Sequence, residues 1–219
     1  PALTAPGRPG ISASCVYPVI QIPGGCGQPE APSAADSYSR IMTRNIVISG
    51  GGTGIGLATA RAFAADGDRV LLLGRRAEVL DKAGVPGALT HAADLTEPAD
   101  VREVARLVAR EFGTVDVLVN AVGILRFAPL EDLPLQDWKD VINVNLTGAF
   151  ILSQAFGKVM LQHKSGRIVH ISTVASHSPE TFSGAYSCAK AGLGMLSKMI
   201  AAEWGPFGIR SNCVCPCFV

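Results

Sequence analysis

Ser49-Gly50-Gly51-Gly52-Thr53-Gly54-Ile55-Gly56 follows the apolar run Asn45-Ile46-Val47-Ile48 and leads directly into Leu57-Ala58-Thr59-Ala60-Arg61-Ala62-Phe63. The order is strand, glycine turn, helix. Glycine tolerates positive φ and lets a phosphate approach the backbone closely. The helix that follows turns its unpaired N–H groups and the positive end of its dipole on the same point, which makes an anion site. Flanked in this way, the turn reads as a nucleotide-binding loop. No lysine follows Gly56, so it is not a phosphate loop of the Gly-Lys-Ser/Thr kind, and a dinucleotide is preferred over a nucleoside triphosphate. Gly50, Gly52, Thr53, Gly54, Ile55 and Gly56 are the contacts expected from this turn.

Beyond it, strands and helices alternate. Apolar runs over 69–73, 88–92, 115–120 and 167–172 read as further strands, and Ile209 to Val214 as the last. Val101, Val104, Ala105, Val108 and Phe112 recur at helical spacing, as do Trp138, Ile142, Ala149, Leu152 and Phe156, and then Ala185, Ala189, Leu193, Leu196 and Ile200. Strands separated by helices predict an α/β Rossmann-type fold, a doubly wound parallel sheet in three αβα layers. In such a sheet the ligand lies beyond the carboxyl ends of the strands.

The 219 residues, 48% hydrophobic, suffice for one sizeable core. A net charge of +1 gives no broad case for nucleic acid or a membrane surface, and runs such as Leu71-Leu72-Leu73 are far shorter than the roughly 20 apolar residues of a spanning helix. Cys15, Cys26, Cys188, Cys213, Cys215 and Cys217 are scattered, which favours reduced thiols in a cytoplasmic protein over a metal site. Residues 1–41, with Pro1, Pro6, Pro9, Pro18, Pro23, Pro29 and Pro32, read as a disordered Pro/Gly/Ser-rich extension, and residues 42–219 as the catalytic domain.

The end of the second strand bears on the cofactor. An acidic residue about 20 positions after the glycine turn binds the adenosine ribose hydroxyls in NAD-type sites. Here Gly74-Arg75-Arg76 stands instead, and a guanidinium binds a 2′-phosphate bidentately, so NADP(H) is preferred over NAD(H). Asp94-Leu95, closing the third strand, is placed to contact the adenine, although an aspartate there also suits a helix entry.

Three further positions converge on chemistry. Asn145 falls on the buried stripe between Ile142 and Ala149, where an amide must find partners. Tyr186 and Lys190 stand four apart on one helix face, so that the lysine is expected to lower the phenol's pKa towards neutrality and make it an acid/base for a carbonyl oxygen. Ser172-Thr173 ends the fifth strand and supplies hydroxyls to the same space.

These motifs resemble the short-chain dehydrogenase/reductase family over roughly residues 43–219. The matching segments are Ser49-Gly50 with Gly54-Ile55-Gly56, Asp94-Leu95, Asn120-Ala121-Val122-Gly123, Asn145 in Val144-Asn145-Leu146-Thr147-Gly148, Thr173, Tyr186-Ser187-Cys188-Ala189-Lys190, and Ile209-Arg210-Ser211-Asn212. Among subgroups the chain looks most like the NADP-dependent 3-oxoacyl-carrier-protein reductases. The resemblance implies Tyr186 as general acid/base, Lys190 tuning it and holding the nicotinamide ribose, Asn145 holding a water behind Lys190, and Thr173 binding the substrate oxygen in place of a serine. It implies cofactor contacts at Asn120, Ala121, Gly123 and Pro216, a small carbonyl or alcohol substrate, and a homodimer or homotetramer. It also implies several dozen residues after Val219, with a substrate cover and a seventh edge strand. The alternative reading is a dinucleotide-binding sensor without catalysis.

Overall fold

The computed structural model describes residues 43–217, so the reading of residues 1–41 as an extension lies outside the described residues. Six strands, β1 (Asn45–Ser49), β2 (Arg69–Gly74), β3 (Leu89–Ala92), β4 (Val117–Asn120), β5 (Gly166–Ile171) and β6 (Ile209–Val214), form one sheet. Every pairing is parallel, and the order is β3-β2-β1-β4-β5-β6. The helices are α1 (Gly54–Ala65), α2 (Ala77–Asp81), α3 (Pro98–Glu111), α4 (Leu135–Ile142), α5 (Gly148–His163) and α6 (Gly184–Trp204). The expected doubly wound architecture is present, with β6 at one edge of the described sheet.

The two-residue period of the strands divides their apolar side chains between two cores. Val47, Leu71, Leu73, Leu118 and Ile168 face Val104, Val108, Leu152, Phe156 and Met160 of α3 and α5. Ile46, Ile48, Val70, Leu72, Val117 and Val119 face the other way, against Ala60 of α1 and Leu80 of α2. Full burial of each such aliphatic or aromatic side chain contributes about 1.5–3 kcal/mol. On this second face, Val169 and Ile171 of β5 are only partly buried, and Val214 of β6 is 50% exposed.

The second apolar stripe, Trp138 to Phe156, is not α-helical throughout. Between α4 and α5 the residues Asn143–Thr147 form a π-helical turn. A π turn inserts one extra residue and commonly marks a functional position. The whole helical body Leu135–His163 is long and apolar enough to cross a membrane by length and composition, a signal the short apolar runs did not give. It packs its apolar side, Leu152, Phe156 and Met160, against the sheet as a core helix does.

At the amino-terminal ends of the strands, Arg44 clasps Asp68. Its backbone N–H and its Nε each donate to Asp68 Oδ1 at 3.0 Å, and the Asp68 side chain is buried. Burial acts to raise the Asp68 carboxyl, but the bonds and charge of Arg44 prevail and hold it below its ordinary 3.8. A depressed carboxylate contributes stability above its unfolded pKa and loses it as pH falls through the folded value. Arg44→Ala is therefore expected to destabilise the fold by about 2 kcal/mol at neutral pH. The deficit should shrink as Asp68 protonates in acid, as chemical denaturation at both pH values would measure.

Candidate active site

Over the carboxyl ends of β1, β2 and β4 the chain leaves a crevice of about 310 Å³. It opens where β1 sits between β2 and β4, the point at which the strand order reverses. Gly50, Gly52, Thr53, Gly54, Ile55 and Gly56 line one wall; Arg75, Arg76, Asp94 and Leu95 line one end; Asn120, Ala121 and Gly123 continue it towards Asn145. All the sequence-predicted contacts of the glycine turn and of the second, third and fourth strand ends thus meet here.

The turn itself fits a dinucleotide diphosphate. Gly50 has φ +70, a conformation other residues rarely adopt, and a Cβ on Gly56 would lie 2.3 Å from the Gly50 carbonyl oxygen. This tight fold brings the start of α1 to the crevice, and no side chain caps it. Its first N–H groups are thus available to an anion. Arg75 and Arg76 are exposed at the crevice end, and neither makes a salt bridge among the described residues. Asp94 is engaged locally, its Oδ1 accepting from Thr96 N at 3.0 Å and Thr96 Oγ1 at 2.7 Å. Burial acts to raise its carboxyl, and the Thr96 bonds and Arg75 charge lower it further than that.

At the other end, the π turn buries Asn145 and aims its amide across to the loop after β4. Asn145 Nδ2 donates to Ile124 O at 2.8 Å and to Val141 O at 2.9 Å, while Oδ1 is buried with no partner among the described residues. Lys190 is also buried, its Nζ donating to Ile171 O at 2.8 Å. The two side chains meet at Gly123: a Cβ there would lie 2.9 Å from Asn145 Oδ1 and 3.5 Å from Lys190 Nζ. Burial lowers the Lys190 pKa to about 8, with Cys213 acting in the opposite direction. The ammonium is thus largely charged at neutral pH.

Tyr186 is half-buried on the same face of α6, packed with Val141, Ala185 and Ala189. Lys190 Nζ stands over its ring, 5.7 Å from the centroid. The expected depression of the phenol is not found. Burial, and then the charge of Glu180, raise it above its ordinary 10.0. The lysine lies over the ring face, bonded to Ile171 O, rather than at the hydroxyl.

Thr173, the second residue beyond β5, has extended backbone, φ −160, and its Oγ1 accepts from Ala175 N at 3.3 Å. Ser172, one residue earlier, points to the other side and donates to Lys190 O at 3.2 Å, as strand alternation requires. Thr173, Tyr186 and Lys190 stand beside the crevice and are not part of its lining. Pro216 is also outside it: its carbonyl accepts from Val174 N at 3.1 Å, tying the segment after β6 to the loop that carries Thr173. The loops after β4 and β5 are joined by Ala128 N donating to Phe182 O at 3.0 Å.

A model of the short chain dehydrogenase family matches residues 44–219. The chain belongs to the short chain dehydrogenase family. It is 38% identical over 192 residues to a D-threitol dehydrogenase of Mycolicibacterium smegmatis, an alignment covering 85% of this chain and 74% of that one. It is 35% identical to a 3-oxoacyl-[acyl-carrier-protein] reductase of Synechocystis, covering 79% and 73%. Among solved structures, an NAD+-bound xylitol dehydrogenase superposes with a TM-score of 0.77 at 32% identity, covering 80% of this chain and 70% of that one. The short chain dehydrogenases are oxidoreductases, and these relatives are named for alcohol and carbonyl chemistry on different substrates.

Within this family frame, Gly123 is the residue with least room for change on the catalytic side. Gly123→Ala is expected to displace Asn145 or Lys190 and lower kcat about tenfold, since misplacement by even 1 Å costs up to about 100-fold. Steady-state kinetics at saturating dinucleotide would show the loss in kcat, and dinucleotide titration would measure the accompanying loss of binding at this crevice-lining residue. Buried Ser153 and His170 escaped the sequence reading, as did the bond from Ser172 to the Lys190 carbonyl. The signal for His170 was available, since it follows Ile168 by two on the inner face of β5.

Proposed function

We propose that this short chain dehydrogenase is an NADP(H)-dependent oxidoreductase acting on a carbonyl/alcohol pair, with Tyr186 as its general acid/base. The observation that carries this reading is the meeting of Asn145 Oδ1 and Lys190 Nζ at Gly123, with Tyr186 alongside, at one end of a crevice suited to a dinucleotide. The glycine turn and the start of α1 would hold the diphosphate, Arg75 and Arg76 the 2′-phosphate, and Asn120, Ala121 and Gly123 the part nearer Tyr186. The bound nicotinamide supplies the hydride donor or acceptor. Tyr186 holds a proton on its hydroxyl and delivers it to the substrate oxygen, or receives it in the reverse direction. Lys190, charged beside it, stabilises the phenolate formed when that proton leaves. The unpartnered Asn145 Oδ1 supports a water held behind Lys190. Thr173 offers its hydroxyl to the substrate oxygen.

The arginine pair supports NADP(H), whereas the xylitol dehydrogenase relative is NAD+-bound, so the preference rests on this chain's own residues. Replacing both with serine is expected to weaken NADPH binding roughly 10- to 100-fold and to leave NADH nearly unchanged, since charge-assisted bonds to a phosphate contribute about 1.5–3 kcal/mol. Fluorescence titration with both dinucleotides measures this; equal losses for the two would contradict the assignment. A relative named for D-threitol supports a small carbonyl or alcohol substrate. Exposed Phe150 on α5 and Met195 and Met199 on α6 support a homodimer or homotetramer formed through these helices. Free Cys188, Cys213, Cys215 and Cys217 fit a reducing, cytoplasmic setting.

The second reading, a dinucleotide-binding protein without turnover, draws on the raised Tyr186 phenol. Both readings expect NADPH binding; only the enzyme makes NADPH consumption depend on Tyr186.

A further inference from the structure

The loops after β4 and β5 present apolar side chains that the fold does not bury. Leu125, Phe127 and Leu130 follow β4, Val174 and Phe182 follow β5, and all five are exposed. The loops are joined where Ala128 N donates to Phe182 O, and a Cβ on Gly184 would lie 3.0 Å from Leu130 Cδ1. That junction stands at the start of α6, within one turn of Tyr186, and Val174 adjoins Thr173. Ile124 of the first loop packs on the same small core as Tyr186. None of the five exposed side chains lines the dinucleotide crevice, so a dinucleotide does not account for them.

Phe182 stands out by its backbone. Glu180 to Ser183 form a turn closed by Ser183 N donating to Glu180 O at 3.3 Å, and Phe182, the third residue, has φ +67. Positive φ at that place belongs to a type II turn and calls for glycine or asparagine. A bulky side chain there is strained. The surroundings hold it nonetheless. Ser183 is wholly buried, its Oγ donating to Glu180 O at 3.0 Å and meeting Ser187 Oγ at 2.8 Å, while Ala128 N holds the Phe182 carbonyl. Core packing does not offset the strain, since Phe182 is 57% exposed. Backbone strain that its surroundings over-determine collects at ligand sites, where it pre-organises a contact.

We propose that Phe182 is the apolar wall of the substrate site, and that the substrate is an uncharged ketone or secondary alcohol carrying an alkyl or aryl group beside the reacting carbon. This rests on the reading of Tyr186 as the general acid/base. Ligand sites set a few polar groups among apolar and aromatic ones. Here the polar groups are Tyr186 and Thr173, and the apolar ones are Phe182 with Phe127, Leu130 and Val174 around it. Charge narrows the class. Glu180, in the same turn as Phe182, is exposed and acts on the Tyr186 hydroxyl, so an anionic group on the substrate is repelled. Arg126 of the other loop stands 3.9 Å from Asp137 and is drawn to that carboxylate.

The test compares initial rates of the full chain at saturating NADPH on acetophenone and octan-2-one against dihydroxyacetone and levulinate. Values of kcat/KM should be at least about tenfold higher for the two apolar ketones. Phe182→Ala should lower that ratio about tenfold, and Phe182→Leu should restore most of it. Binding of 1-phenylethanol, with and without NADP+, is followed by saturation-transfer NMR and needs no turnover. Its phenyl protons should receive the strongest saturation, and Phe182→Ala should remove it. Phe182→Gly separates this role from packing: glycine suits the left-handed turn, so Tm should hold or rise by about 2–4 °C. A fall in Tm would make the ring part of the fold and overturn the inference. Equal or higher kcat/KM on dihydroxyacetone or levulinate, or a ratio indifferent to Phe182, would overturn it and leave the proposed function standing. Phenyl-directed binding without consumption of NADPH on any carbonyl would sink the proposed function and leave the Phe182 contact standing. Neither binding nor consumption would sink both.

Discussion

Tyr186→Phe is expected to lower kcat about 10³-fold, the size of effect a lost general acid/base produces, while leaving NADPH binding and stability nearly intact. The phenyl ring keeps the packing of Tyr186 against Val141, Ala185 and Ala189. The hydroxyl makes no hydrogen bond to the protein among the described residues, so its removal strands no partner. Only the proton at its oxygen is lost. The pH dependence follows from the same geometry. Burial and Glu180 hold the phenol above 10.0, so at neutral pH Tyr186 is the protonated acid that carbonyl reduction needs. Reduction should persist to alkaline pH and fall as pH rises through the phenol's raised value, whereas alcohol oxidation should increase with pH. Lys190, with its pKa near 8, loses its charge earlier, so the oxidative direction gains less at high pH than Tyr186 alone would give. Pre-steady-state and steady-state rates of both proteins across pH, with parallel dinucleotide titration, would measure all of this.

Gly56→Ala is expected to weaken dinucleotide binding roughly 10- to 100-fold, because relieving an overpacked site of this kind costs about 1–3 kcal/mol. The added methyl would sit 2.3 Å from Gly50 O, 2.8 Å from Gly50 C and 3.3 Å from Gly51 Cα. All three are backbone atoms of the turn itself, so no side chain can swing away. The turn must open, and opening it moves the start of α1 from the point where the diphosphate would lie. Gly54→Ala is the contrasting case: a methyl there meets nothing within 4 Å, and only its φ of +52 resists the change. Calorimetric titration of both variants should show a much larger loss for Gly56→Ala; equal losses would mean that the close approach of Gly56 to Gly50 does not shape the site.

Most of the scaffold was legible because burial on two faces leaves a plain trace. Ile46, Val47 and Ile48 form an unbroken apolar run since β1 lies at the centre of a parallel sheet with a core on each side. The glycine turn was legible because strand and helix flank it. The π turn was not, since a single inserted residue shifts the apolar period too little to see across one stripe, yet it orients Asn145 towards Ile124. The spacing of Tyr186 and Lys190 put them on one helix face correctly. It could not show that a buried ammonium bends to the nearest carbonyl, Ile171 O, or that Glu180 lies close enough to raise the phenol. Pro216 was assigned to the cofactor by resemblance alone; no spacing in the sequence showed that its carbonyl ties the segment after β6 to the loop bearing Thr173.

The most direct measurement is NADPH consumption by the full chain against a panel of ketones, ketoses and oxoacyl thioesters, at NADPH concentrations shown by titration to saturate the crevice. The expected result is consumption of NADPH matched by formation of the corresponding alcohol with at least one class of carbonyl, and its loss in Tyr186→Phe. Saturated binding with no consumption on any class, or consumption indifferent to Tyr186, would contradict the assignment of this site as a tyrosine-dependent reductase.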